Sequence, residues 1–164
     1  MRSTDEWRAK LWSHPKWDER VQQIAALIPP KTTVIDLGAG AQSLRKYLPK
    51  TCSYSAADIM RVIPGSLPLD WDAGISPRGR WNVAVLSGSL EYASDPTHVL
   101  FALRDLAPLV LVSYEHGGTL ARRRINGFKS HLSRAGLEDA FERAGWQHEI
   151  VGRWKEQVIY RLHS

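Results

Sequence analysis

The sequence has few of the devices that small domains use in place of a large core. It has one cysteine, Cys52, in 164 residues. No intrachain disulfide is open to it, and a reducing compartment is expected. No histidine, cysteine and carboxylate set falls at metal-ligand spacing, so no metal is expected. No apolar run approaches the ~20 residues needed to cross a bilayer. The opening MRSTDEWRAK has no apolar signal core. The chain therefore reads as cytoplasmic, without membrane insertion. A G-x-S-x-G elbow and a Walker loop are both missing. We find no internal repeat, low-complexity stretch or linker.

What is present suits one globular domain spanning residues 1–164. The composition, 43% hydrophobic and 24% charged, is enough to bury a core without staples. The net charge of +5 raises the prior for phosphate-bearing partners, although a solvated basic face explains it as well. Three of the seven tryptophans, Trp7, Trp12 and Trp17, crowd the start of the chain. This predicts that residues 1–16 form a covering segment, closing over a ligand or filling outer core.

The patterning alternates between strand and helix. Residues 17–28 place Val21, Ile24, Ala25 and Ile28 at i, i+3, i+4, i+7, the stripe of an amphipathic helix. Residues 32–37 read as a buried strand broken at Gly38-Ala39-Gly40, after which Ser43 to Leu48 start a helix. Further strands are expected at 52–59, 66–70 (weaker), 81–88 and 108–115. Ser94-Asp95-Pro96 opens a helix with a cap candidate and an early proline. Residues 116–132 are polar and basic and read as a long loop. Ser133 caps a helix with the stripe Leu137, Ala140, Phe141, Ala144, stopped at Gly145. Strands at 146–151 and 157–162 form a late antiparallel pair. Continuously apolar central strands are covered on both faces. The expected fold class is α/β: a three-layer α/β/α, Rossmann-like architecture with a mainly parallel sheet and an antiparallel final strand.

In such sheets ligands sit beyond the carboxyl ends of the strands, where Asp36-Leu37-Gly38-Ala39-Gly40 falls. A plain structural turn is one reading of it. A dinucleotide fingerprint needs G-x-G-x-x-G, but the third position here is Ser43. Asp36, two residues before the first glycine, would repel a pyrophosphate. It would attract a ligand carrying an ammonium and a sulfonium.

Over roughly residues 17–162 the sequence resembles the class I S-adenosylmethionine-dependent methyltransferases. VIDLGAGAQSL is similar to that family's first motif, with Gln42 where many members carry a third glycine. The resemblance implies that Asp36, Gly38, Ala39 and Gly40 hold S-adenosyl-L-methionine. AADI places Asp58, followed by Ile59, where the family's acid binds the ribose diol. LDWD resembles the segment that contacts adenine, with Asp70 accepting from the exocyclic amine and Trp71 against the ring; a solvated turn is the plainer alternative. VLSGSLEY, residues 85–92, resembles the fourth-strand motif and adds Ser87 and Gly88. GFKSHLSRAGLEDAFERAGW is similar to the last helix. The V-L-E-Y look is shared with small methyltransferase-like proteins, some of which occur with polysaccharide assembly.

The expected activity is methyl transfer to a small-molecule acceptor, such as a saccharide or lipid-linked saccharide. Glu91 and His131 are the candidates for a base or for binding the acceptor; loop orientation and plain solvent exposure are their respective alternatives. Ser113, Tyr114 and Glu115, at the end of the fifth strand, are candidates to line the pocket. Tyr92 packs on the ligand or in the core. Arg122, Arg123 and Arg124 hold an anionic acceptor or simply face solvent. A nucleic-acid methyltransferase is an alternative, disfavoured because no aromatic-basic patch or Asn-Pro-Pro-Tyr-type motif occurs. A non-catalytic, cofactor-binding partner protein is another. A homodimer is also considered.

Overall fold

The structure, a computed structural model, describes residues 15–61 and 63–164. The tryptophan-rich covering segment therefore lies almost wholly outside the described residues. Among the described residues seven strands form one sheet: β1 (Thr33–Leu37), β2 (Ser53–Asp58), β3 (Leu67–Pro68), β4 (Val83–Ser87), β5 (Leu109–Glu115), β6 (Gln147–Trp154) and β7 (Gln157–His163). Their order is β3-β2-β1-β4-β5-β7-β6. Neighbours pair in parallel from β3 to β5, and β7 runs antiparallel to both β5 and β6. The expected three-layer α/β architecture with an antiparallel final strand is what forms.

Each strand divides its side chains between two cores, because successive residues point to opposite faces. Ile35, Leu37, Ala84, Leu86, Val110, Val112 and Tyr160 face one core. That core is closed by α2 (Pro96–Leu106) and α4 (Arg134–Arg143), through Leu100, Leu103, Leu137 and Phe141. Val34, Val83, Val85, Leu111 and Ile159 face the other core, where α1 (Asp18–Ala25) lays Val21, Ile24 and Ala25 on the sheet. Two expected caps are in place. The Asp95 carboxylate accepts from the His98 amide at 3.0 Å, and the Ser133 hydroxyl accepts from the Gly136 amide at 3.1 Å. Gly145 ends α4 with φ +79°.

Three local expectations change. The segment from Ser43 makes only a 3-10 turn, Ser43–Lys46. The third strand shrinks to two residues. The polar stretch 116–132 is not all loop: Leu120–Ile125 forms α3, capped by the Thr119 hydroxyl, which accepts from the Arg122 amide at 3.2 Å. The two apolar residues at its ends, Leu120 and Ile125, are exposed, so α3 carries no buried apolar stripe that periodicity could reveal.

Candidate functional site

The face covered by α1 changes character toward the carboxyl ends of the strands. On β1 the side chain after Val34 on that face is Asp36. On β4, Val83 and Val85 are followed by Ser87. On β5, Leu111 is followed by Ser113 and then Glu115. On β7, which runs the other way, Ile159 is preceded by Gln157. A cavity of about 820 Å³ opens at this end, within the ~300–1,000 Å³ range of small-molecule sites.

The ten residues Asp36, Gly38, Ala39, Gly40, Asp58, Ile59, Asp70, Trp71, Ser87 and Gly88 all line it. The glycine turn is tied to the neighbouring strands. The Gly38 amide donates to the Ala57 carbonyl at 2.8 Å, and the Gly40 amide donates to the Asp58 carboxylate at 2.8 Å. The other Asp58 oxygen accepts from the Met60 amide at 2.8 Å. An ionised carboxylate offers about four lone-pair sites, so Asp58 retains acceptor capacity for a ligand. Gly38 has φ +80°, and a Cβ there would lie 2.5 Å from the Ser89 Cβ. The need for glycine at 38 is thus a close approach of Ser89, whose hydroxyl donates to the Leu37 carbonyl at 2.7 Å. Gln42, at the place of the missing third glycine, has φ +58°, a conformation that costs a side-chain-bearing residue. Ile59 is 67% exposed on the rim, an apolar surface suited to a flat ring. Asp70 folds its own turn, accepting from the Asp72 and Ala73 amides.

The centre of the wall is Arg20, which the helical pattern did not single out. Its side chain is buried. Nε donates to the Ser87 hydroxyl at 2.9 Å, one terminal nitrogen to the Gln157 side-chain oxygen at 2.8 Å, and the other to the Ser87 carbonyl at 3.1 Å. The guanidinium also lies over the rings of Trp17 and Trp154, 5.8 and 5.4 Å from their centroids. Gly88 leaves room for it, since a Cβ there would sit 2.6 Å from the guanidinium. One signal was available: Arg20 falls at i+3 from Trp17 and i−4 from Ile24, inside the apolar stripe.

Acids surround this cation. Burial pushes the Asp36 carboxyl up to about 7, even though the Tyr54 hydroxyl donates to it at 2.8 Å. Burial likewise pushes Glu91 up to about 7. Glu115 is raised, again chiefly by burial. Arg20 is lowered by burial, against the pull of Glu91, Asp36 and Glu115.

The two catalytic candidates do not reach the cavity wall. Glu91 is fully buried in the 3-10 turn Leu90–Tyr92, and one carboxylate oxygen accepts from the Glu115 amide at 2.9 Å. Its backbone carbonyl accepts from the amides of Lys129 and Ser130. It holds the end of β5 and the loop before α4, the orienting alternative rather than the facing one. His131 is absent from the lining as well. Its Nδ1 is buried without a partner, and its pKa is lowered by burial and by the nearby Arg123 and Arg124. Tyr92 does line the cavity, edge-on to Phe128.

The three arginines diverge. Arg122 lines the cavity and pairs with Glu156 at 3.2 Å, Arg123 is buried over the Tyr114 and Phe128 rings, and Arg124 is exposed. Among the described residues no group of three or more histidine, cysteine or acidic side chains is placed to hold a metal. No described helix is long and apolar enough to cross a membrane.

No family model and no curated protein matches the sequence. Solved structures do match. A SAM-dependent methyltransferase from Aquifex aeolicus aligns over 99% of this chain and 98% of its own, with TM-score 0.67 and 15% identity. The chain has the fold of the class I methyltransferases. The same fold aligns with magnesium protoporphyrin IX methyltransferase from Synechocystis, solved with S-adenosylhomocysteine, over 97% of this chain and 94% of that one, at TM-score 0.65 and 14% identity. It also aligns with the 1,6-didemethyltoxoflavin-N1-methyltransferase of Burkholderia thailandensis, over 99% and 91%, at TM-score 0.62 and 14% identity. In this class I methyltransferase fold the cavity lies beyond the carboxyl ends of β1, β2 and β4.

Proposed function

We propose that the protein binds S-adenosyl-L-methionine in this cavity and transfers its methyl group to a small-molecule acceptor. The observation that carries the reading is the charge balance of the wall. Three carboxylates, Asp36, Asp58 and Asp70, line the cavity at the ends of β1 and β2 and in the turn after β3, together with the cation Arg20. A ligand bringing an ammonium and a sulfonium compensates that excess, and a pyrophosphate aggravates it. The residues fit the ligand piece by piece. Asp58 has acceptor capacity for the ribose hydroxyls. Ile59 and Trp71 offer apolar surface for adenine, and Asp70 an acceptor for its amine. The glycine turn offers close approach to the methionyl part, and Arg20 is a lining cation available to its carboxylate. When bound, the cofactor supplies an electrophilic methyl carbon. The protein's part is to orient the acceptor in line and to exclude water.

The size of the cavity and the small-molecule acceptors named for the structural neighbours support a compact acceptor. A saccharide or lipid-linked saccharide remains our specific reading of the V-L-E-Y resemblance. The test has two parts: calorimetric titration with S-adenosylmethionine, then label transfer from methyl-labelled cofactor to small molecules. We expect saturable one-site binding. Absence of binding removes the proposal.

A further inference from the structure

Beyond the cofactor's half, the cavity continues between β5, β7, α3 and the β6–β7 turn, where Glu115, Gln157, Arg122, Phe128 and Glu156 line it. Glu115 and Gln157 are paired directly across β5 and β7, so their side chains stand on the same face of the sheet. Both residues are 8% exposed. The Gln157 side-chain oxygen is already taken by Arg20. This fixes the amide so that its NH₂ is the group left to donate. Glu115 Oε1 is buried and has no hydrogen-bond partner. A buried acceptor without a donor is costly unless something else satisfies it. Arg122, which would be the obvious partner, is engaged by Glu156.

We propose that Glu115 and Gln157 form the acceptor's binding pair, with the Glu115 carboxylate receiving the proton of a neutral O–H or N–H nucleophile on the acceptor. This rests on the methyltransferase reading above. In the step, a lone pair of the acceptor's oxygen or nitrogen forms the bond to the methyl carbon. The carbon–sulfur pair returns to sulfur, leaving a neutral thioether, and the acceptor's proton passes to Glu115. Gln157 donates to an acceptor atom beside the nucleophile. The pair therefore selects a molecule with a donor and an acceptor on adjacent positions, and disfavours a carboxylate at the reacting end.

The charged groups around Glu115 are Arg122 and Arg123 on α3, Glu156 on the β6–β7 turn, Arg20 on α1 and Glu91 after β4. Burial raises the Glu115 pKa, and Glu156 adds to this. Arg122, Arg123 and Arg20 oppose it. The ionised form that takes the proton is thus gained as pH rises.

The experiment loads the protein with S-adenosylhomocysteine and measures fragment binding by ligand-observed NMR, using phenol, imidazole, cyclohexanol and benzoate as probes. Wild type, Glu115→Gln and Glu115→Leu are compared, and melting temperature and S-adenosylhomocysteine affinity are measured for each. Because Glu115 Oε1 has no hydrogen-bond partner to lose, both variants should melt close to wild type. Cofactor-product affinity should stay within about twofold, and phenol or imidazole binding should fall on the order of tenfold in both variants, as for a lost charged hydrogen bond. Benzoate should bind wild type most weakly and gain in Glu115→Leu.

Fragment binding unchanged in both variants overturns the assignment, as does no fragment binding to loaded wild type. A large loss of S-adenosylhomocysteine affinity also overturns it, by placing Glu115 in the cofactor's half. Failure of wild type to bind S-adenosylhomocysteine at all is a different result, and overturns the methyltransferase reading itself.

Discussion

The two faces of the sheet are built from the same strands and serve different ends. Toward α2 and α4, the strands present Ile35, Leu37, Ala84, Leu86, Val110, Val112, Tyr114 and Tyr160, apolar or aromatic to the end. The polar tips of Trp146 and Tyr114 there are matched. The Trp146 indole donates to the Leu100 carbonyl at 2.8 Å, and the Tyr114 hydroxyl meets Ser130 at 3.0 Å. Toward α1, the same strands start apolar and finish as Asp36, Ser87, Glu115 and Gln157 around Arg20. There the polar atoms are incompletely matched: the Ser113 hydroxyl and Glu115 Oε1 are buried without partners. One face stores stability. The other gives up some stability by leaving buried polar groups unsatisfied at the cavity end of the sheet.

Truncation on the apolar face should have the largest effect, and on stability alone. Phe141 is fully buried between α4 and the sheet. Phe141→Ala is expected to cost roughly 3–5 kcal/mol in denaturant unfolding, while the folded fraction binds S-adenosylmethionine with unchanged affinity. An affinity loss in that variant would break the division between the faces.

On the ligand face the effect moves to binding. Asp58→Ala should weaken S-adenosylmethionine affinity tenfold or more by calorimetry, about 1.5–3 kcal/mol for a charged hydrogen bond. Equal affinities would take Asp58 out of the site.

The pH dependence separates the faces as well. Asp36 and Glu91 are raised from ordinary values of 3.8 and 4.5 to about 7. Both bind protons more tightly folded than unfolded. Folding therefore takes up protons between pH about 4 and about 7, and these two groups make the ligand-free protein less stable as pH rises through that window. A cationic ligand favours their ionised forms, so its binding releases protons and its affinity climbs across the same window. Chemical denaturation and titration at pH 5, 6, 7 and 8 check both directions, and Asp36→Asn should flatten each curve.

The smallest change is expected at Gln42. Gln42→Gly relieves the left-handed backbone but gives up the donation from its side-chain amide to the Ser66 hydroxyl at 3.1 Å. The net shift should stay under about 1 kcal/mol, with cofactor affinity intact. A larger loss would mean that the Gln42–Ser66 contact holds the turn.

How much of this was legible in the sequence depends on the range of the contacts. The turn at Asp36-Gly38-Gly40 and the acid closing β2 are local patterns, and they converge because parallel pairing sets Asp36 beside Ala56. The stripes of α1 and α4 are legible for the same reason. Arg20 and Gln157 meet across 137 residues, a distance no local pattern spans. Glu91 followed a strand as expected, but the 3-10 turn rotates its carboxylate inward to the Glu115 amide. The reading from position alone misses that rotation. α3 was hidden because its six residues bury no apolar stripe.

The central claim is that the polar end of the α1-facing side holds S-adenosylmethionine. The most direct measurement is a crystal structure of the protein with S-adenosylhomocysteine. The account predicts both ribose hydroxyls on the Asp58 carboxylate, the adenine against Ile59 and Trp71, the methionyl end at the Gly38–Gly40 turn, and open space facing Glu115 and Gln157. A ligand seated elsewhere, or one whose ribose makes no contact with Asp58, would contradict it.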